Sequence, residues 1–210
     1  MAEPMLPVPT MLSVVTTPLP LWLVESTTEP RGHWLSVQVF SARIFGMDVK
    51  WLSDDELAAW VRLVAVVELL PGVLDSQLRR DAELTNFDYY VLAMLSEAPH
   101  RTLRMTALAA RTNATLPRLS HAVRRLEERG LVERFPCPHD GRATNAHLTD
   151  TGWGRLQEIA PAHVATVREH VIDALTPEQI GQLKEIAEAL LQKLDPEGNV
   201  RPRGAAVAQV

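Results

Sequence analysis

Residues 113–142, NATLPRLSHAVRRLEERGLVERFPCPHDGR, join a basic helix, a helix stop and a charged hairpin in one short stretch, and that order constrains the rest of the chain. Thr115 is a good N-cap, and Leu116, Leu119, Val123 and Leu126 recur at helical spacing, which predicts one apolar stripe facing a core. The opposite face carries Pro117, Arg118, Ser120, His121, Arg124 and Arg125. Its Arg, Ser and His side chains can donate to base edges or phosphates if the helix lies in a major groove. Gly130 should end the helix, because glycine takes the left-handed C′ conformation without steric cost. Leu131–Phe135 and Ala143–Leu148 then alternate as strands around a Pro/Gly/Asp-rich turn, a hairpin with a charged tip.

Net charge is −5 over 210 residues, which taken alone disfavours a nucleic-acid partner. The charges are unevenly placed. Residues 101–142 hold nine Arg against Glu127, Glu128, Glu133 and Asp140, so this stretch carries +5 and the remainder −10. A basic face on an acidic body is the footprint of a protein that reads nucleic acid at one surface only.

Long apolar helices flank the basic stretch. Ser53-Asp-Asp-Glu56 is a capping box opening a helix with Leu57, Trp60, Val61, Val64 and Val67. Pro71-Gly72 should bend it, and Val73, Leu74 and Leu78 resume its period, so one long bent helix is expected. Thr85-Asn-Phe-Asp88 opens a second helix that Pro99 closes. Leu103 lies in a short extended piece, and Thr106 is expected to cap a brief helix stopping near Asn113. Thr149 caps a long helix with Trp153, Leu156, Ile159, Val164, Val167 and Val171. Thr176-Pro-Glu-Gln179 begins a last one with Ile180, Leu183, Ile186, Ala187, Leu190, Leu191 and Leu194.

The segments L126-E-E-R-G-L-V-E-R134, D140-G-R142 and L148-T-D-T-G152 resemble the helix, wing and wing exit of the MarR family of transcription regulators, over roughly residues 50–194. The resemblance implies a mainly α fold with a small β-hairpin wing: a winged helix-turn-helix reader (85–148) and a helical dimerisation region (53–80 and 149–194), together spanning 48–195. It also implies a homodimer on a near-palindromic operator in double-stranded DNA. In that family an Asp-x-Arg pair braces the wing while its arginine enters a minor groove, and Asp140 and Arg142 match it. The candidate DNA contacts are therefore Thr115, Pro117, Arg118, Ser120, His121, Arg124 and Arg125 on the recognition helix, and Arg134, His139, Asp140 and Arg142 on the wing. The helix departs from the commoner Ser/Thr-rich version in carrying Pro117, Arg118 and His121. Control by an aromatic or phenolic small molecule is the usual family arrangement, and Tyr89, Tyr90, Trp153 and His163 lie near the junction where it would sit.

Residues 1–46 hold six of the 15 prolines and only five charged residues, which predicts a poorly ordered N-terminal extension. A partner-binding arm is the alternative, and Met47 is a candidate alternative start. Residues 196–210 should be a flexible tail. A single cysteine excludes an internal disulfide framework and points to a reducing cytoplasm. No basic n-region precedes Arg31, and no apolar run is expected to reach across a bilayer, so a membrane partner is not expected.

Cys137, His139, Asp140 and His147 are close in sequence, but Cys-x-His lacks the paired-ligand spacing of structural zinc. With no Gly-rich phosphate loop, HExxH or GxSxG, neither an enzyme nor a metal or cofactor is expected. Two other classes compete with a ligand-responsive regulator. One is a redox-responsive regulator using Cys137, which lies near Arg134 and His139 and is the single cysteine of the sequence. The other is a winged helix that binds protein, which would not need Arg118, Arg124, Arg125 and Arg142 all off the apolar stripe.

Overall fold

The computed structural model describes residues 50–138 and 140–200, so the readings of the N-terminal extension, His139 and most of the C-terminal tail lie outside the described residues. Contacts divide the chain between Ser53 and Asp54, and the second unit begins at Asp54. Its first element, α1 (Asp54–Ala82), is a continuous 29-residue helix with Asp54, Asp55 and Glu56 in the first turn and Arg79 and Arg80 in the last, as the helix dipole favours. Pro71 lies inside it, so the expectation of one helix rather than two holds. Only Gln77, Leu78 and Ala82 of this helix are buried.

Glu83, at φ 55°, turns the chain into α2 (Asn86–Ser96). Thr85 and Asp88 form its capping box in both directions. A 3-10 turn at Pro99–Arg101 leads to β1 (Thr102–Arg104), α3 (Met105–Arg111) and α4 (Leu116–Glu128). Thr106 does not cap α3: the N-cap residue is Arg104, whose side chain makes no cap bond, because pairing with the sheet holds the chain extended to that point. Gly130, at φ 69°, ends α4. Its N–H donates to Glu127 and that of Leu131 to Leu126, the two bonds of a Schellman motif.

The wing consists of β2 (Val132–Cys137) and β3 (Asp140–Leu148). Both strands run closer to the tip than their sequence patterns indicated, pairing Cys137 with Asp140 across a two-residue connection after a bulge at Pro136/Cys137. The extended piece around Leu103 is a third strand, giving the antiparallel order β1-β3-β2. Pro136 is tolerated because β2 is an edge strand. Thr149 caps α5 (Asp150–Val167), which continues as a π turn over Arg168–Ile172 that includes Val171. Last comes α6 (Pro177–Leu194), opened by the Thr176/Gln179 capping box.

One core joins the end of α1 to α2, α3, α4, the sheet and the first half of α5, with Leu78, Leu92, Leu95, Leu108, Leu126 and Leu148 fully buried. No residue of α6 is buried. Trp60, Val61, Leu63, Val66, Val67 and Leu69 of α1 and Ile180, Leu183, Ile186, Leu190 and Leu194 of α6 are all exposed. By length and composition alone α1 could also span a bilayer, its most apolar 18-residue window having a mean hydropathy of 1.9. That corrects the expectation that no apolar run is long enough, since Pro71 does not interrupt the helix.

Candidate nucleic-acid interface

The buried face of α4 is Leu119, Ala122, Val123 and Leu126. Leu116, assigned to this stripe from its spacing, is 44% exposed, and Ala122 takes the core contact instead. Leu116 is the first helical residue, ahead of the turn that meets α3, whereas Ala122 falls midway between Leu119 and Leu126 on the packed side. Pro117, Arg118, His121, Arg124 and Arg125 are exposed and Ser120 is half-buried. Thr115 is the N-cap, its hydroxyl accepting from the Arg118 N–H at 3.4 Å.

The arginines of this face differ in how they are held. Arg125 Nη2 donates to Asp88 Oδ1 at 2.7 Å, and Asp88 is only 4% exposed. One carboxylate thus closes the α2 capping box and anchors α4, while Arg125 keeps its other donors free to turn outward. Arg124 Nη2 lies 3.1 Å from His121 Nδ1. A guanidinium only donates, so in this contact Nδ1 is the acceptor. Arg118 lies over the ring of Phe87, its Cζ 4.2 Å from the centroid.

In the wing, Arg134 is tied to α4: its Nε and Nη2 donate to Glu127 Oε2 and its backbone N–H to Oε1. These bonds, the side-chain ones foremost, hold the Glu127 carboxyl below the usual range. The Asp140 carboxylate accepts from the backbone N–H of Arg142 at 3.2 Å and lies 3.8 Å from the Arg104 guanidinium. The aspartate therefore braces the tip through backbone, and Arg142 stays exposed. Cys137 is buried, with Arg104 Nη2 3.5 Å from its sulfur.

Sequence reasoning missed four positioning residues: Phe87, Asp88, Arg104 and Arg129. Arg129 closes the C-terminus of α1 by donating to the carbonyls of Glu83 and Ala82 at 2.8 and 3.1 Å. Its only local signal was a position beside the helix stop. Of the residues near the junction, Tyr90 donates to the Arg111 carbonyl at 3.2 Å and Trp153 lies under Arg101.

Tyr89 and His163 rings meet at 4.2 Å, and His163 Nδ1 lies 3.2 Å from Gln77 Oε1 while the Gln77 amide donates to Asp81. Burial lowers the His163 pKa below 6.5 and raises that of Tyr89. A histidine whose folded pKa is depressed contributes stability that is complete above its unfolded value and is lost as pH falls through the folded one. Urea denaturation should therefore show stability declining on acidification below about pH 6.5, with His163→Gln flattening that decline. Parallel profiles would place the titration elsewhere.

Comparisons with known proteins converge on one family. A profile of the MarR family matches residues 83–143. The HTH-type transcriptional regulator MhqR of Bacillus subtilis is 34% identical over 68 residues, a match spanning 32% of this chain and 46% of that protein, under half its length. The crystal structure of Sco3205, a MarR family transcriptional regulator from Streptomyces coelicolor in complex with DNA, is similar with 44% identity and TM-score 0.68, over 71% of this chain and 93% of that one. AbsC, another from the same organism, is 38% identical with TM-score 0.65, over 70% and 98%.

Proposed function

Since the chain belongs to the MarR family, we propose that it is a DNA-binding transcription regulator acting as a homodimer on a near-palindromic operator. The carrying observation is the exposed row Arg118, His121 and Arg124 on a helix whose other face is locked into the core, next in sequence to a wing whose Arg142 is exposed. Arginine forks suit guanine in the major groove, and the relative Sco3205 was crystallised with DNA. Residues 85–148 serve as reader, with Pro117, Arg118, His121 and Arg124 on the base-facing side of the helix, Thr115 and Ser120 beside them and Arg125 further round toward the backbone. In the wing Arg142, with His139, meets the backbone and minor groove, while Arg134 and Asp140 hold the hairpin. The exposed apolar faces of α1 and α6 pack against a second copy, which also accounts for the hydropathy of α1 without a membrane. The protein is cytoplasmic, and an aromatic or phenolic effector alters its binding.

Selection of genomic fragments by the purified full chain, followed by footprinting, tests this. Two half-sites about 34–36 Å apart are expected, and a single short footprint contradicts the dimer. Arg142→Ala should weaken binding to all sequences and reduce the slope of log affinity against log salt by roughly one per subunit. A changed base preference with an unchanged slope would make the wing a base reader instead.

A further inference from the structure

The first turn of α2 grips α4 at two points, two helical turns apart. Asp88 takes Arg125 as an ion pair, and Phe87, its neighbour in sequence, takes Arg118 against its ring. The grips differ chemically. An ion pair uses guanidinium N–H donors, whereas the cation–π contact draws on the guanidinium charge and takes up no N–H donor in a bond to oxygen or nitrogen. The Arg118 guanidinium makes no hydrogen bond or ion pair among the described residues, so its fork is held without being occupied. Phe87 is itself fixed, half-buried and packed on the core cluster. A long side chain that is exposed and otherwise free loses rotamer freedom when it binds, and the ring removes part of that loss beforehand.

From this geometry we infer that Phe87 is a positioning residue for base reading: it pre-orients Arg118 and so sets discrimination at the base pair Arg118 reads. The inference rests on the proposed role of Arg118 and deepens it. The ring touches no base. Its effect acts through one arginine and is confined to one base pair per half-site.

Affinities of the full-length wild type, Phe87→Leu, Arg118→Ala and the double variant are measured on the selected operator and on operators substituted at each position. Arg118→Ala should identify one base pair whose substitution no longer matters. Phe87→Leu should lower discrimination at that same pair by roughly two- to five-fold, leave other positions and the salt slope unchanged, and add nothing in the double variant. Because Phe87 also packs on the core, pentafluorophenylalanine at position 87 is the second probe: it keeps ring shape and apolarity but reverses the charge distribution of the face. The same localised loss is expected. Undiminished discrimination with the fluorinated ring, or a uniform loss in Phe87→Leu, overturns the inference while Arg118 remains a reader. If Arg118→Ala changes no base preference, the role of Arg118 falls and this inference with it.

Discussion

Gly152→Ala is expected to destabilise the reader by about 3 kcal/mol or more, the upper end of what overpacking a core costs. A Cβ at this position would lie 2.0 Å from the Leu131 carbonyl oxygen, 2.9 Å from its carbon and 2.7 Å from Leu148 Cδ1. Two of those three atoms are backbone, which has no rotamer to retreat into. The Leu131 carbonyl also accepts from the Thr149 N–H at 3.1 Å, and the Thr149 hydroxyl shares its one proton between the Gly130 carbonyl at 2.7 Å and that of Leu131 at 3.2 Å. Moving that carbonyl therefore breaks the N-cap of α5 and the exit of the α4 stop together. Gly154, two residues on, has open space around its Cβ position and is the control: Gly154→Ala should be neutral or stabilising by up to about 1 kcal/mol through helix propensity. Urea denaturation of the two variants reads the difference. A Gly152→Ala protein within about 0.5 kcal/mol of wild type, the range of ordinary surface changes, would mean that the approach of α5 to Leu131 relaxes easily.

The fold was legible wherever a local rule decides the backbone. Thr85/Asp88, Thr115, Thr149 and Thr176/Gln179 cap helices as their spacing indicates, and Gly130 stops α4 with the bonds its position implies. What local rules misplaced was decided by tertiary contact. Strand pairing extended β2 and β3 toward the tip and drew Thr102–Arg104 into the sheet. Contact with α3 and the core, rather than hydrophobicity, chose Ala122 over Leu116. At the candidate interface the exposed identities of Arg118, His121 and Arg124 could be read from the period of α4, but their restraints could not. Phe87, Asp88 and Glu127 act on arginines 31, 37 and 7 positions away, so no window of sequence contains the pairs with α2. Gly152 stood in the motif that carried the family resemblance, and its physical reason lies in Leu131, across the hairpin.

The second large effect concerns Ile186→Asp in α6, which should dissociate the dimer and lower operator affinity by on the order of 100-fold or more through loss of the second half-site. Ile186 is 58% exposed in the single chain, within a stripe that includes Ile180, Leu183, Leu190 and Leu194. Exposed apolar stripes on both α1 and α6 are the kind of surface that marks an interaction site. If a second copy covers them, a carboxylate at the centre is buried without a partner, at a cost of several kcal/mol per subunit and so doubled across a two-fold axis. The reader is untouched by the change, because no α6 residue is buried in the single chain. The variant should therefore keep its urea midpoint for the reader, sediment as a monomer at micromolar concentration and protect a single half-site. Gln192→Asp, an exposed change on the opposite face of the same helix, should stay dimeric. An Ile186→Asp protein that sediments as a dimer with wild-type operator affinity would show that the α6 stripe is covered by something other than a second copy.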